Sequence, residues 1–169
     1  TASIHRLLYT YNSSTIYNVL ANNFPQYDQP VILVNSSEYG GAGGSYAVSS
    51  TGANANEIAT HELGHSLFNL KDEYYPGDDL AAEAINMTQE INPTLVKWKN
   101  WIDINGIGIY PYATSGNAAT WYRPHQNCKM RYLNVPFCSV CKEGMIEKIH
   151  SLISPIDSYS PNSNTVDSP

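Results

Sequence analysis

Residues 54–69 read NANEIATHELGHSLFN and carry the strongest local signal in the chain. Asn54 is a good N-cap and Glu57 stands three residues later, as in a capping box, so the pattern predicts a helix from Asn54 to Asn69. Five apolar side chains can bury one side of this helix: Ile58, Ala59, Leu63, Leu67 and Leu70. His61 and His65 are four residues apart and therefore lie on one face.

The two histidines and the glutamate after the first match the HExxH pattern of zinc peptidases. Because four residues make about one helical turn, both imidazoles can bind the same zinc ion. Glu62 is placed to act as a general base that takes a proton from the attacking water and delivers it to the leaving amine. The alternative explanation is a chance match on an ordinary core helix.

A third metal ligand is expected shortly after the helix. In the metzincin pattern a glycine turns the chain, and the third ligand falls three residues beyond it. Here Asn69 can make the turn, because asparagine tolerates the left-handed conformation, and Asp72 follows three residues later. We predict Asp72 as the third ligand, with Glu73 as the second choice. The alternative is that these acids are solvated loop residues or brace a histidine.

The other segments predict two more helices and a few strands. Apolar spacing indicates a helix at residues 15–24, closed by a proline, and a last helix at residues 138–153. Strands are expected at residues 4–9 and 30–35, with the latter buried on both faces, and an edge strand is expected at residues 46–50.

The order of these elements predicts an α+β catalytic domain over residues 1–153. Its small mixed sheet is expected to pack against the HExxH helix and against the C-terminal helix. Residues 154–169 are predicted to form a flexible tail or linker, because they are rich in Ser, Pro, Asn and Asp and have little to bury.

The glycine-rich run Gly40–Gly44 is not a nucleotide-binding loop, since no Lys-Ser or Lys-Thr follows it. One interpretation is a flexible connection between strands. The other is that it leads into an edge strand, Ser45–Ser49, which pairs with an extended peptide substrate while Tyr46 lines the cleft.

Over residues 6–147 the chain resembles the IgA peptidase-like metallopeptidase family, a group of secreted bacterial zinc peptidases. The blocks that carry the resemblance are FPQYD (24–28), VNSSEYGG (34–41), HELGHS (61–66), KDEY (71–74), KWKNW (97–101), YRPHQNCKMR (122–131), FC (137–138) and VC (140–141). The resemblance implies a metzincin-like domain, one zinc ion and endopeptidase activity, and it implies that Met130 supplies a methionine turn beneath the metal. Asn69 departs from the glycine that the family favours. The chain is also expected to lack N-terminal parts that the family usually carries.

Two residues near the end of the resemblance are candidates for the site. From the residues alone, Met130 is a soft core side chain of the kind that packs well beneath a metal. Tyr132, two residues later, stands where some metzincins place a tyrosine that helps to hold the transition-state oxyanion. The alternative for Tyr132 is an ordinary surface or core tyrosine.

The three cysteines, Cys128, Cys138 and Cys141, follow His125 in a His-x2-Cys-x9-Cys-x2-Cys array. Four nitrogen and sulfur donors could hold a second, structural zinc ion. Because the resemblance implies secretion, we favour instead a disulfide from Cys128 to one of the later two cysteines, which leaves one free thiol.

Composition excludes several classes of function. A net charge of −6 with only nine Lys and Arg argues against nucleic-acid binding, and no apolar run is long enough to span a membrane. The low charged fraction of 14% and the 13 tyrosines suit an extracellular protein, so with the resemblance we expect a secreted or cell-surface bacterial protein. Asp78 and Asp79 could add a calcium site, although their spacing does not match an EF-hand.

The expected function is therefore zinc-dependent hydrolysis of internal peptide bonds in an extracellular protein or peptide. One alternative is a non-hydrolytic adhesion or binding module on a zinc-peptidase scaffold, and the intact Glu62 weighs against it. Another is zinc-dependent hydrolysis of a non-peptide amide or ester. The residues encode no natural substrate, side-chain preference or oligomeric state.

Overall fold

The computed structural model describes residues 6–75 and 80–153. Residues 4 and 5 of the first expected strand, Asp78 and Asp79 of the suggested calcium site, and the expected tail at 154–169 lie outside the described residues. The helices and strands are α1 (Ser13–Asn23), β1 (Val31–Val34), β2 (Gly41–Ala42), β3 (Ala47–Ser50), α2 (Ala55–Ser66), β4 (Tyr110–Pro111), β5 (Tyr122–Arg123) and α3 (Ser139–Leu152). Short 3-10 helices lie at Lys99–Trp101 and Asn117–Thr120. The α+β prediction is confirmed.

All three predicted helices are present, with ends shifted by one to three residues. Helix α1 ends where Phe24 donates its backbone N–H to the Leu20 carbonyl at 2.7 Å, one residue before Pro25. Helix α1 buries none of its residues fully; it touches the rest of the molecule where Ser13 Oγ and Tyr46 OH hydrogen-bond at 2.8 Å.

The capping box at the start of α2 is not formed. Asn54 has a left-handed backbone with φ 62° and makes no side-chain cap. The carboxylate of Glu57 instead accepts hydrogen bonds from Lys129 Nζ and, at 2.8 Å, from the Asn134 backbone N–H. Glu57 thus ties the first turn of α2 to a distant segment, so a tertiary contact replaces the local one.

The three-stranded sheet has the order β1-β3-β2, with β3 parallel to β1 and antiparallel to β2. The prediction of an edge strand at Ser45–Ser49 is therefore wrong, because β3 is paired on both sides. Tyr46 does not line the cleft either; it packs its ring edge-to-face against Tyr17 of α1 at 6.3 Å. The mixed character of the sheet agrees with the prediction.

Burial also differs from the expectation for β1. Val31 and Leu33 are 44% and 64% exposed, so β1 is covered on one face only. The strand buried on both faces is β3, every residue of which is buried. The reason is position: β3 is central, whereas β1 is an outer strand.

The expected strand at 4–9 is reduced, within the described residues, to a single bridge between Leu7 and Gly41. Gly41 N–H donates to the Arg6 carbonyl at 3.0 Å, and Leu8 N–H donates to the Gly41 carbonyl at 3.3 Å. This segment covers part of the outer edge of β2.

The sheet packs against α2, as expected. The C-terminal helix α3 was expected to pack against the sheet too, but it packs against a loop-rich core instead. This core includes Trp98, whose indole N–H donates to the Gly108 carbonyl at 2.9 Å. Its buried members are Phe68, Leu70, Val96, Trp98, Ile107, Cys128, Met130, Cys138, Val140 and Cys141. Within the described ranges no helix has the length and hydropathy to cross a bilayer.

Candidate functional site

His61 and His65 project from one face of α2, with their Nε2 atoms 3.2 Å apart. Helix α2 is held from both sides. A Cβ at Gly41 of β2 would lie 2.4 Å from Ile58 Cγ2, and one at Gly64 would lie 2.7 Å from Met130 Sδ, so the two glycines permit close approach. The positions of both imidazoles are therefore fixed by packing of the helix that carries them.

Asp72 reaches the histidines because the chain reverses direction after α2. Asn69 has the left-handed conformation, with φ 55°, as predicted for the turn. Asp72 Oδ1 then lies 3.0 Å from His61 Nε2 and 3.2 Å from His65 Nε2. The structure thus brings Asp72 to the histidines and turns Glu73, the second choice, into the interior.

The second ring nitrogen of each histidine contacts a backbone carbonyl. His61 Nδ1 lies 2.9 Å from the Lys129 oxygen, and His65 Nδ1 lies 2.7 Å from the Leu70 oxygen. A carbonyl oxygen only accepts hydrogen bonds, so each Nδ1 carries the proton and each Nε2 of a neutral ring bears a lone pair. Metal-binding histidines show this arrangement, in which the outer partner fixes the tautomer and the ring orientation.

The three converging atoms fit a zinc ion. Their separations of 3.0 to 3.2 Å are close to the roughly 3.3 Å between ligands that each lie about 2.0–2.1 Å from a tetrahedral zinc. With both rings neutral, two nitrogen lone pairs and a carboxylate oxygen face one another, an arrangement that a cation satisfies. Three protein ligands also leave a fourth position open, as in catalytic zinc sites.

The electrostatics of the site follow from burial and close charges. When the two histidine rings are protonated at Nε2 as well, they donate to Asp72: burial acts to raise the pKa of Asp72, but these hydrogen bonds hold it well below its usual range. Burial acts to lower the pKa of His65, yet its hydrogen bond to Asp72 and that carboxylate's charge raise it. The pKa of Glu62 is raised by burial, which the charges of the two histidines offset only in part. A carboxyl with a raised pKa suits a group that takes up and returns a proton.

Glu62 lies where two cavities meet. One cavity of about 310 Å³ and another of about 710 Å³ share His61, Glu62 and Tyr74 in their walls. Both sizes fall in the range of ligand pockets. The cleft therefore continues on both sides of Glu62.

Met130 is fully buried directly behind α2. Its sulfur sits against Gly64, which stands between His61 and His65 in the sequence, and its carbonyl accepts the Glu73 N–H at 2.7 Å. The preceding carbonyl, of Lys129, is the one that holds His61. This main-chain role of Lys129 has no signature in the sequence, because any residue type supplies a carbonyl.

Tyr132 lies at the rim of the smaller cavity and is 48% exposed, with the Arg131 guanidinium 4.8 Å from its ring centre.

Tyr74 contacts the site more closely than Tyr132 does. It lines both cavities, and burial together with the charge of Asp72, to which it is hydrogen-bonded, raises the pKa of Tyr74 to about 12. Sequence reasoning gave Tyr74 no role, although it stands two residues after Asp72 in the KDEY block.

A second cluster lies in the core. The thiols of Cys128, Cys138 and Cys141 and the carboxylate of Glu73 offer ligand atoms that all lie within 4.8 Å of one another, and all four residues are buried. His125, expected as the fourth donor, is not part of it; its Nδ1 accepts the Asn127 N–H at 2.9 Å.

The disulfide favoured from the sequence is not formed in the structure. All three cysteines are free, and Cys128 Sγ lies 3.7 Å from Cys141 Sγ, against about 2.05 Å for a bonded pair. Glu73 and a third thiol lie beside these two sulfurs, an arrangement that the spacing of the cysteines alone does not encode.

Comparison with known families agrees with the site. The family model described as IgA Peptidase M64 matches residues 2–107, which include the whole of α2, Asp72 and Glu73. The chain belongs to the IgA peptidase M64 family. It is therefore a peptidase, and membership of this metallopeptidase family implies a metal cofactor and a protein substrate. The M64 match ends before the cysteines, Met130 and Tyr132. No curated protein matches the chain.

Proposed function

We propose that the chain is a zinc-dependent endopeptidase that cleaves proteins outside the bacterial cell or at its surface. The convergence of His61 Nε2, His65 Nε2 and Asp72 Oδ1 carries this proposal, since it supplies a three-ligand site of the kind that catalytic zinc requires. A zinc ion held there would lower the pKa of water and polarise the scissile carbonyl. Low charge density supports the extracellular location.

Glu62 is the proposed general base. It follows the first ligand on α2, lines the cleft beside both histidines, and is not itself within the ligand set. Its carboxylate takes a proton from the attacking water and then donates it to the amine that leaves. Burial, which raises its pKa, favours the protonated form that the second step needs.

The shape of the cleft supports cleavage of internal bonds. Space extends from Glu62 in two directions, towards Arg131 and Tyr132 on one side and towards Gly44 and Leu80 on the other. An extended chain can thus continue past the site at both ends. At Gly44 an added Cβ would meet nothing within 4 Å, which leaves room for a substrate main chain beside β2.

A metzincin-like arrangement is the proposed architecture of the site. Three observations support it: the turn at Asn69 after the helix, the ligand three residues beyond it, and the buried Met130 behind Gly64. Tyr132 is the proposed donor to the oxyanion, because it reaches the rim of the same cavity as Glu62.

The test compares wild type, Glu62→Gln and Glu147→Gln in cleavage of casein and of an internally quenched peptide. Glu147 is exposed on α3, so the same substitution there serves as the matched control. We expect one catalytic zinc in every protein, chelator-sensitive cleavage in wild type and control, and a loss of about 10²- to 10⁴-fold for Glu62→Gln.

Wild-type activity in Glu62→Gln would overturn the role of Glu62. Peptide binding by the wild type without cleavage would favour a binding module instead. Hydrolysis of esters alone, with peptides left intact, would favour the non-peptide hydrolase.

A further inference from the structure

The three cysteines and Glu73 form a buried group of polar side chains within an apolar core. Cys128 and Cys141 have no exposed surface, Cys138 is 7% exposed, and Glu73 is fully buried. The surrounding side chains include Trp98, Val140 and Phe68. A fully buried carboxylate is costly unless its oxygens are bound.

One of the two carboxylate oxygens of Glu73 has no hydrogen-bond partner. Its Oε1 accepts a hydrogen bond from Asn86 Nδ2 at 3.0 Å and lies 3.5 Å from Cys141 Sγ. Its Oε2 is buried and has no hydrogen-bond partner. Buried polar atoms of native proteins nearly always have a partner, so this oxygen points to a ligand.

The sulfur geometry fits a metal. Ligand sulfurs that each lie about 2.3 Å from a tetrahedral zinc are about 3.8 Å apart, and Cys128 Sγ and Cys141 Sγ are 3.7 Å apart. Two of the thiols also lie at the N-terminus of a helix. Cys138 is the N-cap of α3 and Cys141 lies in its first turn, where the helix dipole favours negative charge. The Cys138 backbone N–H points to Cys128 Sγ at 3.3 Å.

We propose that Cys128, Cys138, Cys141 and Glu73 bind a structural zinc ion, separate from the one at the histidines. Three thiolates and one carboxylate complete a four-coordinate site with no open position, which is the form of structural zinc sites. Soft thiolate ligands select zinc over magnesium, calcium or manganese.

Two of the four proposed ligands lie next to residues of the histidine site. Glu73 is the residue after Asp72, and Cys128 precedes Lys129, whose carbonyl holds His61. The ion therefore joins the loop that carries the third catalytic ligand, the segment that orients the first one, and the N-terminus of α3. It would hold Asp72 and the Lys129 carbonyl in place from the side of the core.

The first experiment uses the full chain, produced with zinc and purified without chelator, reductant or oxidant. Zinc is counted by elemental analysis in wild type and in the double variant His61→Ala, His65→Ala. We expect two zinc ions per chain in wild type and one in the double variant. Zinc-edge X-ray absorption of the double variant should show mainly sulfur ligands at about 2.3 Å. Thiol titration after denaturation with chelator should give three thiols.

A single thiol would overturn the proposal, because it reveals a disulfide. Three thiols with no zinc in the double variant, or zinc without sulfur ligands, would overturn it as well. One sulfur-bound zinc in both proteins would support the cysteine site and contradict the zinc site at the histidines. The two proposals can therefore fail separately.

The second experiment tests Glu73 with variants that keep the three thiols. Glu73→Gln keeps the shape and removes the charge, and Glu147→Gln is the exposed control. We expect the sulfur-bound zinc of Glu73→Gln to be lost to a competing chelator at a concentration at least about tenfold lower than in wild type, with the control unchanged. Equal retention in all three proteins would exclude Glu73 as a ligand.

Discussion

The substitution Gly43→Ala tests the proposed site through packing, because the added methyl group would press on His65 and Glu62 of α2. Gly43 follows β2 and lies against α2. A Cβ added there would stand 2.5 Å from His65 Cβ, 3.1 Å from the Glu62 carbonyl oxygen and 3.2 Å from Glu62 Oε2. The first two atoms are not the far ends of flexible side chains, so the chain after β2 and the helix have to separate. Gly44, the next residue, meets nothing within 4 Å and provides the control.

The size of the effect follows from that distance. The gap at His65 must open from 2.5 Å to at least 3.4 Å, the start of ordinary contact, which is a displacement of about 0.9 Å. Such overpacking costs about 1–3 kcal/mol of stability, and the melting temperature of a chain of this size falls by about 2–4 °C for each kcal/mol. A displacement of about 1 Å in a catalytic group can cost about 10²-fold in rate.

The assay measures thermal unfolding and kcat/KM for a quenched peptide in wild type, Gly43→Ala and Gly44→Ala. We expect Gly43→Ala to lose stability and about two orders of magnitude in kcat/KM, and Gly44→Ala to keep the stability of the wild type. If the two alanine variants are equally stable, the close approach of the chain after β2 to the histidine helix is refuted.

Three further substitutions probe the surroundings of the site. Glu57→Gln removes the charged partner of Lys129. The hydrogen bond from Lys129 lowers the pKa of Glu57, so the wild type should be more stable than the variant at neutral pH. Denaturant unfolding at several pH values should show this difference vanish as the pH falls below about 4.5 and through the lower pKa that Glu57 has in the folded protein. Tyr74→Phe removes a hydrogen bond to a proposed ligand and should weaken metal affinity about 10- to 100-fold in a chelator competition, whereas unchanged affinity would exclude this role. Tyr132→Phe should leave metal affinity unchanged and lower kcat about 10²- to 10³-fold, and undiminished turnover would rule out an oxyanion contact.

Local signals predicted the helices and the histidine pair well. Apolar spacing predicted α1 and α3, and the proline after Phe24 predicted the end of α1. Both signals involve only residues that are close together in the sequence. The turn at Asn69 and the approach of Asp72 to the histidines followed from an offset of three residues. These features depend on short stretches of chain, and the sequence encodes them directly.

Features that depend on distant contacts were missed. The sequence of β3 is compatible with an edge or a central strand, because only pairing with both β1 and β2 makes it central. Glu57 has a good local partner in the capping box, yet Lys129, 72 residues away, takes its carboxylate. No local pattern reports which of these contacts forms.

The position of Glu73 was not predicted. Asp72 and Glu73 lie in a loop, where no regular alternation tells which of two neighbouring side chains faces the core. That the core holds three thiols at this point could not be read from the sequence, because Cys128, Cys138 and Cys141 arrive there through a separate loop and helix.

The most direct test of the proposed function is a crystal structure of the zinc-loaded chain with diffraction data collected on both sides of the zinc absorption edge. The proposal predicts an anomalous peak about 2.0–2.2 Å from His61 Nε2, His65 Nε2 and a carboxylate oxygen of Asp72. Loaded crystals with no peak among these three atoms would contradict it, whatever is found at the cysteines.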